Sequence, residues 1–467
     1  MTQAVIALDA FPLGNDHRRP VDYNAGLVSE AMILPLLREL PGVTQPEPAA
    51  VHAIEPSSDG LHWRLYPDPN LRWSDGEPLR CEHLVDGIRD AATCDDQLGR
   101  LMRSVGAEAV AVNDAVSLRL RHPVSFLPAL LTLPQLAPMR LDSTAVLGPF
   151  APHGRTADGG LLLCRHRYTC SPDAPGELRF TVIEHLDPAV AEFRAGTVHA
   201  TPTTSFDVAD AARFRGDPDL STQGLALFAS LEFGRRCPTL RGTPELRSAV
   251  GRALDLEVLA AGTTGLLEPA AAPATVLLGD EPRATASQPP SAQAAQRVRD
   301  LLGPGPVEVS YADFVPNGAA VTAVCEQLQE AFGLPFTPRP LSYGAYLRTA
   351  LLGDHTLLYT LTTADFPHPA ALLAPWVSGG TYSRAGSFAD ETFDALFRQA
   401  TEHSDATEAA AGWRRTEERW LELMPRVPLL RVRAHYLAEP GLRRIGLTES
   451  GKFPFHLLSR PYPPMSN

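Results

Sequence analysis

Two hydrophobic periods alternate along this chain. Residues 4–11, AVIALDAF, form a short apolar run, interrupted by Asp9, that predicts a first strand. Residues 24–40, NAGLVSEAMILPLLREL, carry helical spacing and stop at Pro41-Gly42. Leu61, Trp63 and Leu65 alternate with polar neighbours as in a strand, and Asp75-Gly76 supplies a tight turn. In residues 81–92, Cys81, Leu84, Val85 and Ile88 fall on one helical face. Residues 109–123 alternate on both sides of Asn113-Asp114, a hairpin pattern. Residues 147–152 and 161–169 read as another strand pair.

Residues 176–201 read as strand, helix and strand, with Gly196 at the helix end. An apolar strand at 225–233 precedes one helix over 243–263, capped by Thr243 with Glu245 in its first turn. The Pro- and Ala-rich residues 265–293 break the rhythm and predict a long surface connection. Helix resumes at 294–302. Residues 306–342 then give a strand–helix–strand unit of the α/β kind. A strand at 355–363 runs into a turn, amphipathic helices occupy 390–403 and 409–424, and 427–441 close the chain as a strand. No fixed-period repeat occurs.

At 467 residues the chain exceeds what one core supports, so at least two lobes are expected. Its formal charge of −13 speaks against a nucleic-acid surface, and no apolar run reaches the ~18–20 residues of a membrane span. Lys452 is the sole lysine among 41 basic residues. The six cysteines form no CxxC pair; Cys164, His166 and Cys170 are the nearest thing to a metal cluster, and their spacing lacks zinc knuckles. Free thiols, with no metal and no cofactor, are expected. They lean toward a reducing compartment. Met1 reads either as a cytoplasmic start or as the edge of a trimmed leader. The usual catalytic signatures GxSxG, HExxH, GxxxxGK[ST] and GxGxxG are missing.

Six short stretches, in order, resemble the extracellular solute-binding proteins of family 5, the peptide and nickel group. They are Asp59-Gly60 with Trp63 and Leu65; Trp73 to Gly76 with Pro78 and Leu79; and Gly148 to Phe150. Then come Ala191 to Ala200; Arg247, Ala253 and Asp255; and Asp365, Pro367, Pro369, Tyr382, Phe393, Asp394, Leu396 and Ala400. Departures from the pattern are His83, His199 and His368 for acidic residues, and Gly234 for asparagine. Residues 427–458 also resemble the tail of the sugar-phosphate-stress type of bacterial transcriptional regulator.

The resemblance implies an α/β fold, periplasmic-binding-protein-like of type II, with two main lobes, a hinge and an extra small lobe. Lobe I would comprise 1–38, 146–232 and 430–467, the extra lobe 39–145, and lobe III 233–429. The function implied is closure around a small peptide-like solute as receptor of an ABC importer, as a monomer, without catalysis or membrane insertion. A cytoplasmic sensing module related to the regulators, or an enzyme co-opted on this fold, are the alternatives. The compartment is extracytoplasmic in the first case and cytoplasmic if Met1 is the native start.

Asp365 matches the family residue that holds a ligand's α-amino group, or it merely caps the turn before Pro367. Leu361, Thr362 and Thr363 would offer backbone groups to an extended ligand. Trp376 and Tyr382 would cover the ligand or pack in the core. Phe11 and Asn15 follow the first strand, where family members line the cleft.

Overall fold

The computed structural model describes residues 3–458, apart from 15, 142, 158, 172, 385–387 and 404. Strand β1 (Gln3–Leu8) is buried from Ala4 to Leu8, as expected of a strand covered on both faces. It pairs in parallel with a later strand in a four-stranded sheet.

After β1 comes the helix Tyr23–Met32, capped by Asp22, whose side chain accepts from the Ala25 amide. The sequence pattern carries this helix to residue 40, but it stops at Met32. Pro35 cannot donate to the helical ladder and pushes Leu34 to extended backbone. Leu37–Leu40 becomes strand β2, paired with β3 (Val43–Pro48). Its register places Arg38 opposite Glu47.

A small sheet follows in the order β4 (Val51–Pro56), β5 (His62–Pro67), β7 (Ala115–Arg119), β6 (Glu108–Val112). The β6–β7 hairpin turns at Asn113, whose φ of 54° is a conformation asparagine tolerates. The helix Cys81–Thr93 buries Cys81, Leu84, Val85 and Ile88, as the spacing predicts. Strands β8 (Phe150–Arg155), β9 (Leu161–Arg165) and β10 (Glu177–Val182) complete the first sheet, in the order β1-β10-β9-β8. The strand expected near residue 200 is reduced to single bridges from Ala200 to Ile6 and Ala438.

The largest sheet has six strands: β12 (Leu267–Pro269), β16 (Arg426–Leu437), β11 (Leu220–Phe233), β15 (Leu357–Thr363), β13 (Val307–Ala312) and β14 (Phe336–Leu341). Strands β11 and β16 serve more than one core. Leu225, Ala434 and Tyr436 pack with β1, while Leu231, Phe233, Val427 and Leu429 pack with β13. Between these halves the ladder jumps from Gly224↔Arg433 to Phe228↔Arg431. Such a bulge bends both strands where they pass from one core to the other. Arg431 fastens it, donating from Nε to the Leu225 carbonyl at 2.8 Å and from Nη2 to the Gly224 carbonyl at 3.1 Å.

Two further expectations are corrected. Residues 243–263 form two helices, Pro244–Arg252 and Leu256–Ala261. Asp255 starts the second, accepting from the Val258 amide at 3.0 Å, while the Thr243 hydroxyl donates to the Thr239 carbonyl instead of capping. The connection at 265–293 is half interior, with Ala270, Ala274 and Val276 buried. The buried Glu417 carboxylate accepts the Ala274 and Thr275 amides there, satisfying the exposed donors of a short helix start.

Candidate ligand-binding cleft

Strand β13 runs parallel to both β14 and β15. The chain passes from β13 to β14 on one side and returns to β15 on the other. That is a topological switch point, where a crevice opens outside the carboxyl ends of the strands. The β13–β15 pairing covers Val309↔Leu357 and Ser310↔Leu358. From Tyr359 to Thr363 the β13-facing edge of β15 has no strand partner among the described residues. Asp365 stands just past this open edge.

Asp365 has a particular environment. It is exposed to solvent, although much of the protein lies around it. Burial raises its pKa; the Lys452 ammonium opposes that shift and Asp96 adds to it. Its carboxylate has no hydrogen-bond partner among the described residues, so it does not cap the turn before Pro367. His368 takes that task, accepting the Ala370 amide at Nδ1 at 3.1 Å as N-cap of the helix Pro369–Leu373. The imidazole stacks on Phe126 and meets Trp413 edge-on, and burial drives its pKa down to about 3. It is therefore neutral, and it adds no charge where the family pattern has an acid.

The Lys452 charge that acts on Asp365 is carried on the turn Thr448–Lys452, closed by the Thr448 amide on the Lys452 carbonyl at 2.8 Å. The Ala226 amide, within the β11 bulge, donates to the Glu449 carbonyl at 2.6 Å. Gly451 has φ 80°, and a Cβ there would lie 2.7 Å from the Tyr23 ring. The turn thus seats against the helix Tyr23–Met32, and Tyr23 donates its hydroxyl to the Gly451 carbonyl at 3.1 Å. The Lys452 ammonium lies 3.5 Å from Glu39 Oε1, and Ser450 Oγ donates to both Glu39 oxygens. Burial opposes the Lys452 charge, but Glu39, Glu30 and Asp365 together outweigh it and the pKa is raised. Glu30 is pushed up to about 7 by burial, with Lys452 pulling the other way. At the carboxyl end of β1, Asp9 accepts from Asn24 Nδ2 at 2.6 Å and Thr204 Oγ1 at 2.8 Å.

The other predicted residues fall into groups. Thr362, Trp376 and Tyr382 gather on Arg426. Its guanidinium lies 4.1 Å from the Tyr382 ring centre and 5.2 Å from that of Trp376, and Nη1 donates to Thr362 Oγ1 at 3.0 Å. Glu232 balances the Arg426 charge at 2.8 Å. Trp376 is buried, so its ring serves the core of this cluster. The Leu361 side chain packs into the core beneath the six-stranded sheet, and Thr363 is exposed. Phe11 is exposed near the start of the helix Tyr23–Met32, while Asn15 lies outside the described residues. Sequence reasoning missed Glu30, Glu39 and Lys452. The lone lysine in a chain of arginines was the available signal. It also missed Phe314, Val315 and Tyr343, exposed apolar residues at the carboxyl ends of β13 and β14.

His166 sits in a turn and bonds the Gly148 carbonyl and Thr169. Among the described residues no group of three or more His, Cys, Asp or Glu is placed to hold a metal ion, and no helix is long and apolar enough to cross a membrane.

Residues 45–384 match the family described as bacterial extracellular solute-binding proteins, family 5 Middle. The chain belongs to that family. No curated protein matches it. Solved structures share the fold over nearly the whole length. The periplasmic binding protein DppA of Helicobacter pylori, in complex with the peptide STSA, aligns with TM-score 0.80 at 16% identity, covering 98% of this chain and 97% of its own. OppA of Haemophilus influenzae, in complex with RPPGFSPFR, gives 0.78 at 16%, covering 98% of each. NikA of Staphylococcus aureus, in complex with Ni(L-His)2, gives 0.77 at 13%, covering 97% and 98%. The architecture is that of a type II periplasmic binding protein. The family match ends before the stretch that resembles the regulators and lends that resemblance no support.

Proposed function

We propose that this protein is the receptor of an ABC importer that captures a small peptide-like solute and releases it unchanged. The solute's α-ammonium would sit on Asp365, and its backbone would run along the open edge of β15 from Leu361 to Thr363, adding a strand. Two proteins of similar fold, DppA and OppA, have structures in complex with the peptides STSA and RPPGFSPFR. Closure would turn the two main lobes about the bulge in β11 and β16. Trp376 and Tyr382 would act from beneath, holding Arg426 and through it Thr362.

The observation that carries the reading is the Asp365 carboxylate. It is exposed to solvent and lacks a protein donor among the described residues, and its pKa is raised. A carboxylate with no protein donor is free to accept an arriving ammonium, in a charge-assisted bond worth about 1.5–3 kcal/mol.

Native mass spectrometry of freshly purified protein, followed by release of whatever is bound, tests the reading. A retained peptide recovered at its original mass is the expected result. Recovery of a solute lacking an amino group, or conversion of an added peptide to another mass, would contradict it.

A further inference from the structure

We propose that the captured solute carries a large apolar side chain at the end away from its ammonium, received by Phe314, Val315 and Tyr343. The inference rests on the peptide reading above and names the class of peptide that reading leaves open.

Strand register fixes where the far end of the solute lies. β13 pairs with β15 as far as Ser310↔Leu358. Two residues further, the same register sets Ala312, the last residue of β13, beside Thr360. A peptide strand along Leu361–Thr363 therefore continues the line of β13. With its ammonium on Asp365 it runs antiparallel to β15, and its far end stops at the turn that follows Ala312. The interval from Asp365 back to Leu361 takes about four extended residues at ~3.4 Å each.

That turn is fixed in place and presents apolar side chains. The Ala312 carbonyl accepts from the Phe314 amide at 2.9 Å and from Nδ2 of the buried Asn317 at 3.0 Å. The Asp313 amide donates to the Leu341 carbonyl at 2.9 Å, tying the turn to the end of β14. The helix Tyr343–Leu352 begins there and buries none of its residues. Its Tyr346 hydroxyl donates to Thr360 Oγ1 at 3.0 Å. Tyr343 stacks on Tyr346 with ring centres 6.3 Å apart, and Phe314 meets Tyr343 edge-on at 6.4 Å. An aromatic row thus runs outward from Thr360, on the face of β15 opposite Leu361. Phe314, Val315 and Tyr343 are 44%, 41% and 44% exposed. Apolar side chains gathered in this way mark a binding surface. Side chains alternate across an added strand, so those on the Thr360 face meet the row.

Calorimetric titration with tetra-alanine, Ala-Ala-Ala-Phe and Phe-Ala-Ala-Ala tests the inference, since the last two peptides have one composition. The protein should bind Ala-Ala-Ala-Phe about tenfold more tightly than Phe-Ala-Ala-Ala. Phe314→Ala combined with Tyr343→Ala should erase that preference. The same double variant should keep the parent's affinity for tetra-alanine and its melting temperature, because both side chains are exposed. Tyr343→Phe should keep the preference. Affinities for the two isomers within about twofold of each other in the unmodified protein, or a preference that survives in the double variant, would overturn the inference. Loss of self-association in the double variant with the preference intact would overturn it in favour of a contact between copies. In each of these cases binding of tetra-alanine leaves the peptide reading standing. If none of the three peptides binds, the peptide reading falls and this inference with it.

Discussion

The Ala364 amide donates to the Ala226 carbonyl at 2.7 Å. That bond joins the strand end bearing Asp365 to the bulge in β11. The neighbouring Ala226 amide holds the turn bearing Lys452. One backbone network therefore joins the segment bearing Asp365, the bulge in β11 and the turn bearing Lys452.

Asp365→Asn keeps the shape of the side chain and removes its charge. Peptide affinity should fall by about tenfold or more. The melting temperature of the ligand-free protein should stay nearly unchanged, because no protein group loses a partner. Calorimetric titration and a thermal melt read the two effects separately. An unchanged affinity would remove Asp365 from the site.

Glu30 should make stability depend on pH. Its pKa rises on folding from 4.5 to about 7, so the folded protein binds the proton more tightly than the unfolded chain. The sign follows from linkage: stability falls as pH rises from 4.5 through about 7, then levels off. The full shift corresponds to on the order of 3 kcal/mol. Glu30→Gln removes the penalty, so its melting temperature should match the parent at acidic pH and exceed it at pH values above about 7. Parallel melting curves across that range would contradict the assignment.

Arg431→Met should cost about 3 kcal/mol in denaturant unfolding, since it strands the Gly224 and Leu225 carbonyls and leaves Glu268 with Arg433 alone. Arg433→Met removes only the outer partner, at 33% side-chain exposure against 11% for Arg431, and should cost less.

Trp376→Ala should destabilise the protein by about 3–5 kcal/mol, as loss of a buried aromatic does. Peptide affinity of the remaining folded fraction should change little. A large affinity loss without loss of stability would place the ring in the ligand seat.

Much of the architecture was legible because local signals and long-range packing agree. The β6–β7 hairpin turns where Asn113-Asp114 predicts, and β13, β14 and the helix Asn317–Phe332 between them follow their apolar periods. The misreadings share a cause. Leu34, Leu36 and Leu37 fit a helical face as well as a strand, and Pro35 decided between them. Asp255 fits a helix interior by spacing but acts as a cap. Ala- and Pro-rich residues near 270 look like surface until Glu417, far along the chain, is seen to satisfy them. The candidate site was half legible. Asp365 is reached through its motif, but Glu30, Glu39 and Lys452 meet only through tertiary contacts that no local pattern encodes.

The most direct test of the central claim is calorimetric titration of the protein with trialanine and with N-acetyl-trialanine. Acetylation removes the ammonium and little else. The account predicts binding of the free peptide and loss of binding for the acetylated one, with Asp365→Asn erasing the difference. Equal affinities for the two peptides would contradict it.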